Sequence, residues 1–424
     1  MRDVGWKRGQ AAVAVLAAAA ALLSGCSGNS GPSDSSSSST PVDTAVLGEK
    51  KAATGSPVKI GLFNVEGGSA VSSPEIADAA AAAASYANDY LGGLGGHRIE
   101  IVRCGDKADG ASAAACGNTF VQERVAAVVT GQPATADQIV PTVRGAGIPW
   151  VGSSPAAPSE LGNTDAFFFS SGFIGLLAGE AVYAKKQGWK RVTMMGSENP
   201  QVVAAVNGVG KPLFQSQGVT LDLVTVPQGT ADASSQVAAA TRRNPDALSI
   251  VADATGCQAV LSAIATVGAT QPKMVNAACV SPEVIDAVGE AGIDRTVLFA
   301  NGDTLSDDKE AQLYRAVMQE YASKAPTGGL TPVGFLSMLG FVRAVNAGGL
   351  TGDATPQTIL AALRAAKDVP LPIGAGQTFS CDKTQFPYPA IKATICNSKS
   401  FVTTYTGVKP GTFEPVDAAD ALAG

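Results

Sequence analysis

The sequence has 424 residues, of which 46% are hydrophobic and 16% charged, and its net charge is −6. This weakly acidic balance argues against a nucleic-acid partner, because phosphate recognition needs clustered Lys and Arg side chains. A chain of this length exceeds what one hydrophobic core usually serves, so two lobes are expected.

The N-terminus has the pattern of a lipoprotein signal peptide. Three basic residues lie in the first eight positions, a thirteen-residue apolar run covers 11–23, and Cys26 follows. As a helix this run would reach roughly 20 Å, less than the roughly 30 Å of a hydrocarbon core, so residues 1–25 are predicted to be removed. The small residues before Cys26 resemble a lipobox, which implies a diacylglycerol on this cysteine. The alternative is an ordinary secretory signal with a chance cysteine.

Residues 26–56 are rich in Ser, Gly and Pro. Such a segment buries too little apolar surface to offset its ordering entropy, so a flexible, disordered tether is predicted. The folded body is expected to begin near Pro57 and to lie outside the cytoplasm, held to the membrane by the lipid on Cys26.

Six cysteines remain after Cys26, an even number that indicates disulfides in an exported chain. Fifteen pairings are possible in principle. The order in the sequence favours three local pairs, each stabilising the fold by about 3 kcal/mol: Cys104 with Cys116, Cys257 with Cys279, and Cys381 with Cys396. A metal site is the rival interpretation, but the sequence has no CxxC and a single histidine, His97, so no metal is expected.

Short apolar or β-branched runs alternate with Ala-rich helical segments, which is typical of a parallel α/β sheet. Ser73, Pro74, Glu75 and the glycines after Tyr90 predict a capped helix over 74–90. Gly188, Gly218 and Gly268 indicate helix ends. The predicted strands are 58–63, 98–103, 125–130, 148–151, 191–195, 220–226, 247–251, 273–276 and 297–300. A break between 163 and 174 predicts the first crossover between lobes.

Four segments, taken in order, resemble the branched-chain amino-acid-binding (Leu/Ile/Val-binding) protein family. They are Tyr86 to Ile99, Val128 to Gly131, Gly147 to Pro149 with Ser153 and Ser154, and Gly188 to Val192. The resemblance covers roughly residues 57 to 400.

This resemblance implies the type I periplasmic-binding-protein fold, with two doubly wound parallel-sheet lobes joined by three crossovers. Lobe 1 is expected to hold 57–172 and 302–372, and lobe 2 to hold 173–301 and 373–424. The implied function is capture of a small polar solute, amino-acid-like solutes included, between closing lobes. The expected partners are that solute and the permease and ATPase of an ABC importer. A monomer without cofactor or catalytic residues is expected.

Ligands of open α/β sheets sit beyond the carboxyl ends of the strands, which selects the loops there. In lobe 1 the candidates are the loop over 64–69 and the residues Gln132, Thr135, Ser153 and Ser154. In lobe 2 they are Glu198, Asn199, Asp253 and the segment around Cys279. The blander interpretation is that the serines cap turns and the carboxylates are solvated. Where the family has an acidic residue for an ammonium group, this chain has Ala277, Ala278 and Cys279.

Two other functions stay open. A ligand-sensing lipoprotein would present its closed form to a signalling partner instead of a permease. A cell-envelope hydrolase is disfavoured, because the only histidine lies in a Gly-rich turn and the sequence has no GxSxG or GxxxxGK[ST] motif.

Overall fold

A computed structural model describes residues 44–68, 71–155, 157–386, 388 and 390–422. The predicted signal peptide, the lipidated Cys26 and the tether up to residue 43 lie outside these residues. Within them, two separate sheets, one parallel and one mostly parallel, are flanked by helices, which confirms the predicted α/β class.

The first sheet has six strands in the order β13-β5-β4-β3-β1-β2, and every neighbouring pair is parallel. Because the strands are parallel, their carboxyl ends meet at one edge of the sheet. The strands are β1 (Gly55–Asn64), β2 (His97–Gly105), β3 (Ala127–Thr130), β4 (Trp150–Gly152), β5 (Ala166–Phe168) and β13 (Thr394–Ile395).

The second sheet has eight strands, in which β7, β6, β8, β9 and β10 run parallel and β14 joins β10 antiparallel. The strands β15 and β16 both pair with β14, and β11 pairs with β12 as a separate ribbon. The ranges are β6 (Arg191–Ser197), β7 (Thr220–Val226), β8 (Ala247–Val251), β9 (Lys273–Val275), β10 (Thr296–Ala300), β11 (Val369–Pro370), β12 (Thr378–Phe379), β14 (Lys399–Thr406), β15 (Lys409–Pro410) and β16 (Glu414–Asp417).

The helices that cover these sheets follow the strands in the chain. They are α1 (Pro74–Tyr90), α2 (Gly110–Gln122), α3 (Ala136–Gly145), α4 (Pro158–Leu161), α5 (Gly172–Lys186), α6 (Pro200–Ala205), α7 (Lys211–Ser216), α8 (Ser234–Thr241), α9 (Ala254–Val267), α10 (Pro282–Ile293), α11 (Lys309–Tyr321), α12 (Thr331–Ala347), α13 (Pro356–Ala365) and α14 (Ala419–Leu422). Short 3-10 helices lie at Thr44–Leu47 and Ala277–Val280, and a π-helical turn at Val206–Gly210 joins α6 to α7.

The alanine-rich sequence of α1 serves close packing between helices. Most of its alanines are buried, and it packs along α12. A Cβ atom at Gly334 of α12 would lie 1.8 Å from the carbonyl oxygen of Ile76 in α1. The two backbones therefore approach so closely that only small side chains fit between them.

All nine strands predicted from the sequence are present, with ends displaced by at most three residues. The predicted helix over 74–90 has the observed bounds, but the predicted cap is wrong because the Ser73 side chain makes no capping hydrogen bond. Instead, the Ser73 carbonyl oxygen accepts a bond from the buried amide of Asn64. The strand β5 was missed, since three apolar residues carry no periodicity of their own.

The predicted lobe boundaries stay a prediction, although the sheets show where the last part of the chain lies. Thr394 and Ile395 pair with Phe167 and Phe168 in the first sheet, and the strands from residue 399 onward join the second. The chain after residue 373 thus contributes to both sheets, because the buried Thr394 and Ile395 pair with the edge of β5.

Candidate functional site

The loop that follows β3 carries two of the predicted ligand-binding residues. Gln132 is exposed at the carboxyl edge of the first sheet, and its backbone N–H donates to Asn64 Oδ1 over 3.1 Å. Thr135 precedes α3 and is half-buried. Its hydroxyl already donates to Asp106, so only its lone pairs remain for a ligand.

The side chain of Asp106 holds the loop after β3 in place through hydrogen bonds. It is fully buried at the end of β2, and its Oδ2 accepts bonds from the N–H of Ala134 (2.8 Å), the N–H of Thr135 (3.0 Å) and the hydroxyl of Thr135 (2.9 Å). Its Oδ1 accepts from the N–H of Ala108 at 2.8 Å. Hydrogen bonds to an ionised acceptor are the strong ones, so Asp106 fixes the candidate loop to the loop after β2.

Asn64 supports the same loop from the end of β1. Its amide donates to the Ser73 carbonyl oxygen at 2.7 Å, while its Oδ1 accepts from Gln132. Gly131 lies against it, and a Cβ atom there would stand 2.5 Å from Asn64 Oδ1. Position 131 therefore tolerates only glycine. The rule for parallel strands selected the loop that begins at Asn64, but no sequence signal indicated that the Asn64 and Asp106 side chains are buried.

Ser153 and Ser154 follow β4, the strand beside β3. Ser153 is buried and its carbonyl oxygen accepts from the Ser170 N–H at 2.7 Å. Ser154 is half-buried against Gly172, where a Cβ atom would lie 2.7 Å from that of Ser154. This serine loop is thus joined to the segment that leaves the first sheet and begins α5.

The predicted residues of the second sheet follow β6 and β8, which are also neighbours. Glu198 is exposed, and its backbone N–H donates to the Val226 carbonyl oxygen at 2.8 Å. Asn199 comes next and is half-buried. Asp253 is exposed and caps α9 by accepting from the Gly256 N–H at 2.8 Å. Capping uses Oδ1, one of the two carboxylate oxygens of this exposed side chain.

The loops after β8 and β9 are tied to each other as well. The amide of Asn276 donates to the Ala252 carbonyl oxygen at 3.0 Å. The Cys257–Cys279 disulfide joins the first turn of α9 to the 3-10 helix after β9. The predicted segment around Cys279, which consists of small residues, is therefore covalently linked to the start of α9.

All three disulfides have the pairing that sequence order favoured. Cys104 lies near the end of β2, two residues before the buried Asp106, and is bonded to Cys116 in α2. Both this disulfide and Cys257–Cys279 adjoin loops at the carboxyl edges of the sheets. They limit the freedom of those loops and so lower the ordering cost of binding.

We expect the double variant Cys257→Ser/Cys279→Ser to lose about 3 kcal/mol of unfolding free energy, since a 22-residue separation is left unconstrained. Urea unfolding with and without a thiol reductant measures this. Reduction of the wild type should lower its stability further than it lowers that of the variant. Equal midpoints for the variant and the wild type under oxidising conditions would show that the bond contributes nothing.

Each sheet thus brings its predicted residues together. Gln132, Thr135, Ser153 and Ser154 lie on adjoining loops of the first sheet, and Glu198, Asn199 and Asp253 lie on adjoining loops of the second. Their role in binding remains a prediction. His97 contributes nothing here, because its Nε2 contacts the Gly352 carbonyl oxygen and its Nδ1 contacts that of Ser56, which anchors the turn before β2.

The comparisons with known proteins agree with this architecture. The family model for periplasmic binding proteins matches residues 57–389. The chain belongs to the periplasmic binding protein family. No curated protein matches the sequence.

Solved structures of similar fold extend this result. A leucine-binding protein from Thermotoga maritima is 19% identical, with 86% of this chain and 99% of that chain covered and a TM-score of 0.64. An ABC transporter substrate-binding protein from Sphaerobacter thermophilus is 15% identical over 87% and 100%, with a TM-score of 0.70. A fatty acid ABC transporter substrate-binding protein from Thermomonospora curvata is 15% identical over 88% and 94%, with a TM-score of 0.63.

These findings confirm the resemblance and the type I fold that it implied. As a periplasmic binding protein, the chain is an extracytoplasmic solute-binding protein. Among the described residues, every helix is too short or too polar to cross a bilayer.

Proposed function

We propose that this periplasmic binding protein is a lipid-anchored receptor that captures a small solute for an ABC importer and performs no catalysis. The solute would be held between loops at the carboxyl edges of the two sheets, and the permease and ATPase of the importer would be its partners. Two polar loops, one after β3 and one after β4, support this most directly, because hydrogen bonds position them on the fold of a solute-binding family.

The chemistry of the loops favours a solute with a polar head and a modest body. Gln132, Thr135, Ser153 and Ser154 offer hydroxyl, amide and backbone groups without a charged side chain. Such groups can hold a carboxylate through several hydrogen bonds and need no buried countercharge. The named ligands of two similar structures, leucine and a fatty acid, both carry a carboxylate beside an apolar chain. We therefore propose a small carboxylate solute.

The second sheet would complete the recognition. Glu198 and Asp253 are exposed carboxylates that would meet a cationic group if the solute has one. The side chains of Ala277, Ala278 and Cys279 carry no charge. The contact that amino-acid binders make with an ammonium group would therefore have to come from Glu198 or Asp253. Binding would stabilise the closed arrangement, which a permease then recognises.

A thermal-shift screen of small carboxylates against the purified protein tests this function. A ligand present at 100 times its Kd should stabilise the protein by about 2.7 kcal/mol. The same ligand should reduce the radius of gyration in X-ray scattering and be recovered unchanged after unfolding. Recovery of a chemically altered product would point to an enzyme, and binding without compaction would contradict the closing mechanism.

The lipid anchor is tested at Cys26. We expect Cys26→Ser to leave the membrane fraction, because two acyl chains hold a protein firmly and none remain in the variant. Membrane fractionation and the intact mass of the mature protein measure this. The double variant Cys381→Ser/Cys396→Ser is the matched control and should stay on the membrane. An unmodified Cys26 in the membrane-bound wild type would exclude lipidation.

A further inference from the structure

A cavity of about 350 Å³ lies away from the candidate loops, at the opposite edge of the first sheet. Thr164 and Ala393 line it, and they precede β5 and β13 in the chain. Because these two strands are parallel, the cavity lies at their amino ends. The predicted solute-binding loops lie at the carboxyl ends of the same sheet. The cavity is therefore separate from that site.

The lining of the cavity combines apolar side chains with polar ones, among them Thr164 and Tyr388. The apolar side chains include Phe386, Ala393 and Ile395, which are 7%, 7% and 2% exposed, and the half-buried Ile391. A volume of this size is at the lower end of the range of about 300–1,000 Å³ that small-molecule sites occupy. It suits a ligand with one aromatic ring or a short branched chain.

Two lysines contribute the charge of the cavity lining. Lys383 and Lys392 both line it and are exposed. The Lys383 ammonium group donates to the Lys392 carbonyl oxygen at 3.4 Å, which places one charge beside the other lysine's backbone. Neither lysine makes a salt bridge among the described residues, and none of the described lining residues is acidic. The nearby Asp382 turns instead to Lys367, at 3.8 Å.

Hydrogen bonds and a disulfide fix part of the described cavity lining. The backbone N–H groups of Lys392 and Ala393 both donate to the Leu161 carbonyl oxygen, at 2.8 and 3.0 Å. The Cys381–Cys396 disulfide closes the segment that carries most of the lining residues, and the Cys396 N–H donates to the Phe168 carbonyl oxygen at 2.7 Å. A preformed site lowers the entropy cost of binding.

We propose that this cavity is a second ligand site, which takes a small carboxylate with an aromatic or branched apolar body. The apolar part would fill the space lined by Phe386, Ile391 and Ile395, and the carboxylate would lie between Lys383 and Lys392. This proposal is independent of the proposed function, because none of its residues belongs to the candidate solute loops.

Isothermal titration of the full chain with phenylacetate tests the site, with phenylacetamide as the neutral analogue of the same shape. We expect phenylacetate to bind with a Kd of about 1 mM and phenylacetamide to bind about tenfold more weakly, a difference near 1.4 kcal/mol. Lys383→Gln/Lys392→Gln should weaken phenylacetate by about the same factor. Lys211→Gln/Lys409→Gln removes two exposed lysines elsewhere and should change nothing.

Two further variants separate this site from the solute loops. Ala393→Phe fills the cavity and should abolish phenylacetate binding. Asp106→Asn disturbs the loops after β2 and β3, away from the cavity, and should leave phenylacetate binding intact. Loss of binding in Asp106→Asn would place phenylacetate in the solute site and overturn the proposal. No binding up to roughly 20 mM, or equal affinities in both lysine double variants, would also overturn it.

Discussion

Replacing Asp106 by alanine is expected to cost about 3–5 kcal/mol of unfolding free energy and to weaken solute binding at least about tenfold. The physical reason is that four donors lose one buried acceptor group together. These are the N–H groups of Ala108, Ala134 and Thr135 and the hydroxyl of Thr135. Without the carboxylate, these donors either bind water in a packed region or stay unpaired, and the loop becomes mobile. Solute binding must then order the loop, which costs conformational entropy and weakens the affinity.

Asp106→Asn refines this test, since it keeps the shape of the side chain. One carboxylate oxygen becomes an NH₂ donor, which repels the donors that point at it or leaves them with a single acceptor. We expect a smaller loss of stability than in Asp106→Ala and a clear loss of solute affinity. Asp307→Asn removes the same charge from an exposed position and should change neither quantity. Urea unfolding and titration with the solute from the screen measure both quantities. If Asp106→Ala binds the solute like the wild type, Asp106 does not position the site.

The second large effect concerns Glu180, a fully buried carboxyl on α5. Burial raises its pKa from the usual 4.5 to about 7, and the hydrogen bond from Ser249 Oγ at 2.8 Å to Oε2 opposes that rise only in part. The folded protein therefore holds this proton more tightly than the unfolded chain does. The contribution of this bound proton to the free energy of unfolding is fully present below about pH 4.5. It is lost as the pH rises through about 7.

This difference in pKa between the unfolded and folded states lowers the free energy of unfolding by about 3 kcal/mol between pH 4.5 and pH 8. Glu180→Gln is a neutral side chain of the same shape, so we expect it to remove this loss and to exceed the wild type in stability at pH 8. Glu49→Gln, at an exposed position, should keep the pH dependence of the wild type. Urea unfolding at several pH values measures the slope. An unchanged slope in Glu180→Gln would show that other groups control the pH dependence.

The two sites raise different questions about specificity. The loops after β3 and β4 carry neutral polar groups, whereas the cavity at the other edge of the sheet carries two lysines beside apolar side chains. Both would accept a carboxylate, the first through hydrogen bonds and the second through charge. The expected salt dependence therefore differs, because screening weakens exposed charges more than buried hydrogen bonds.

The sequence by itself determined the features that depend on neighbours along the chain. The α1 bounds followed from Pro74 and the glycines after Tyr90, and each of the nine predicted strands followed from its own apolar run. The cysteine pairs are close in sequence, so their order was enough to favour the observed pairing. The loops of the candidate site followed from the rule that ligands lie beyond the carboxyl ends of parallel strands.

Only the tertiary structure decided which polar residues are buried and what they hold. Asp106 binds residues 28 and 29 positions further on, and Glu180 meets Ser249 across 69 positions. The sequence does not distinguish a carboxylate that faces solvent from one that is buried in a packed core. The pairing of Thr394 and Ile395 with β5 is equally non-local, since more than 220 residues separate the partners. Local patterns fix secondary structure, whereas burial and pairing at this range depend on how the elements pack.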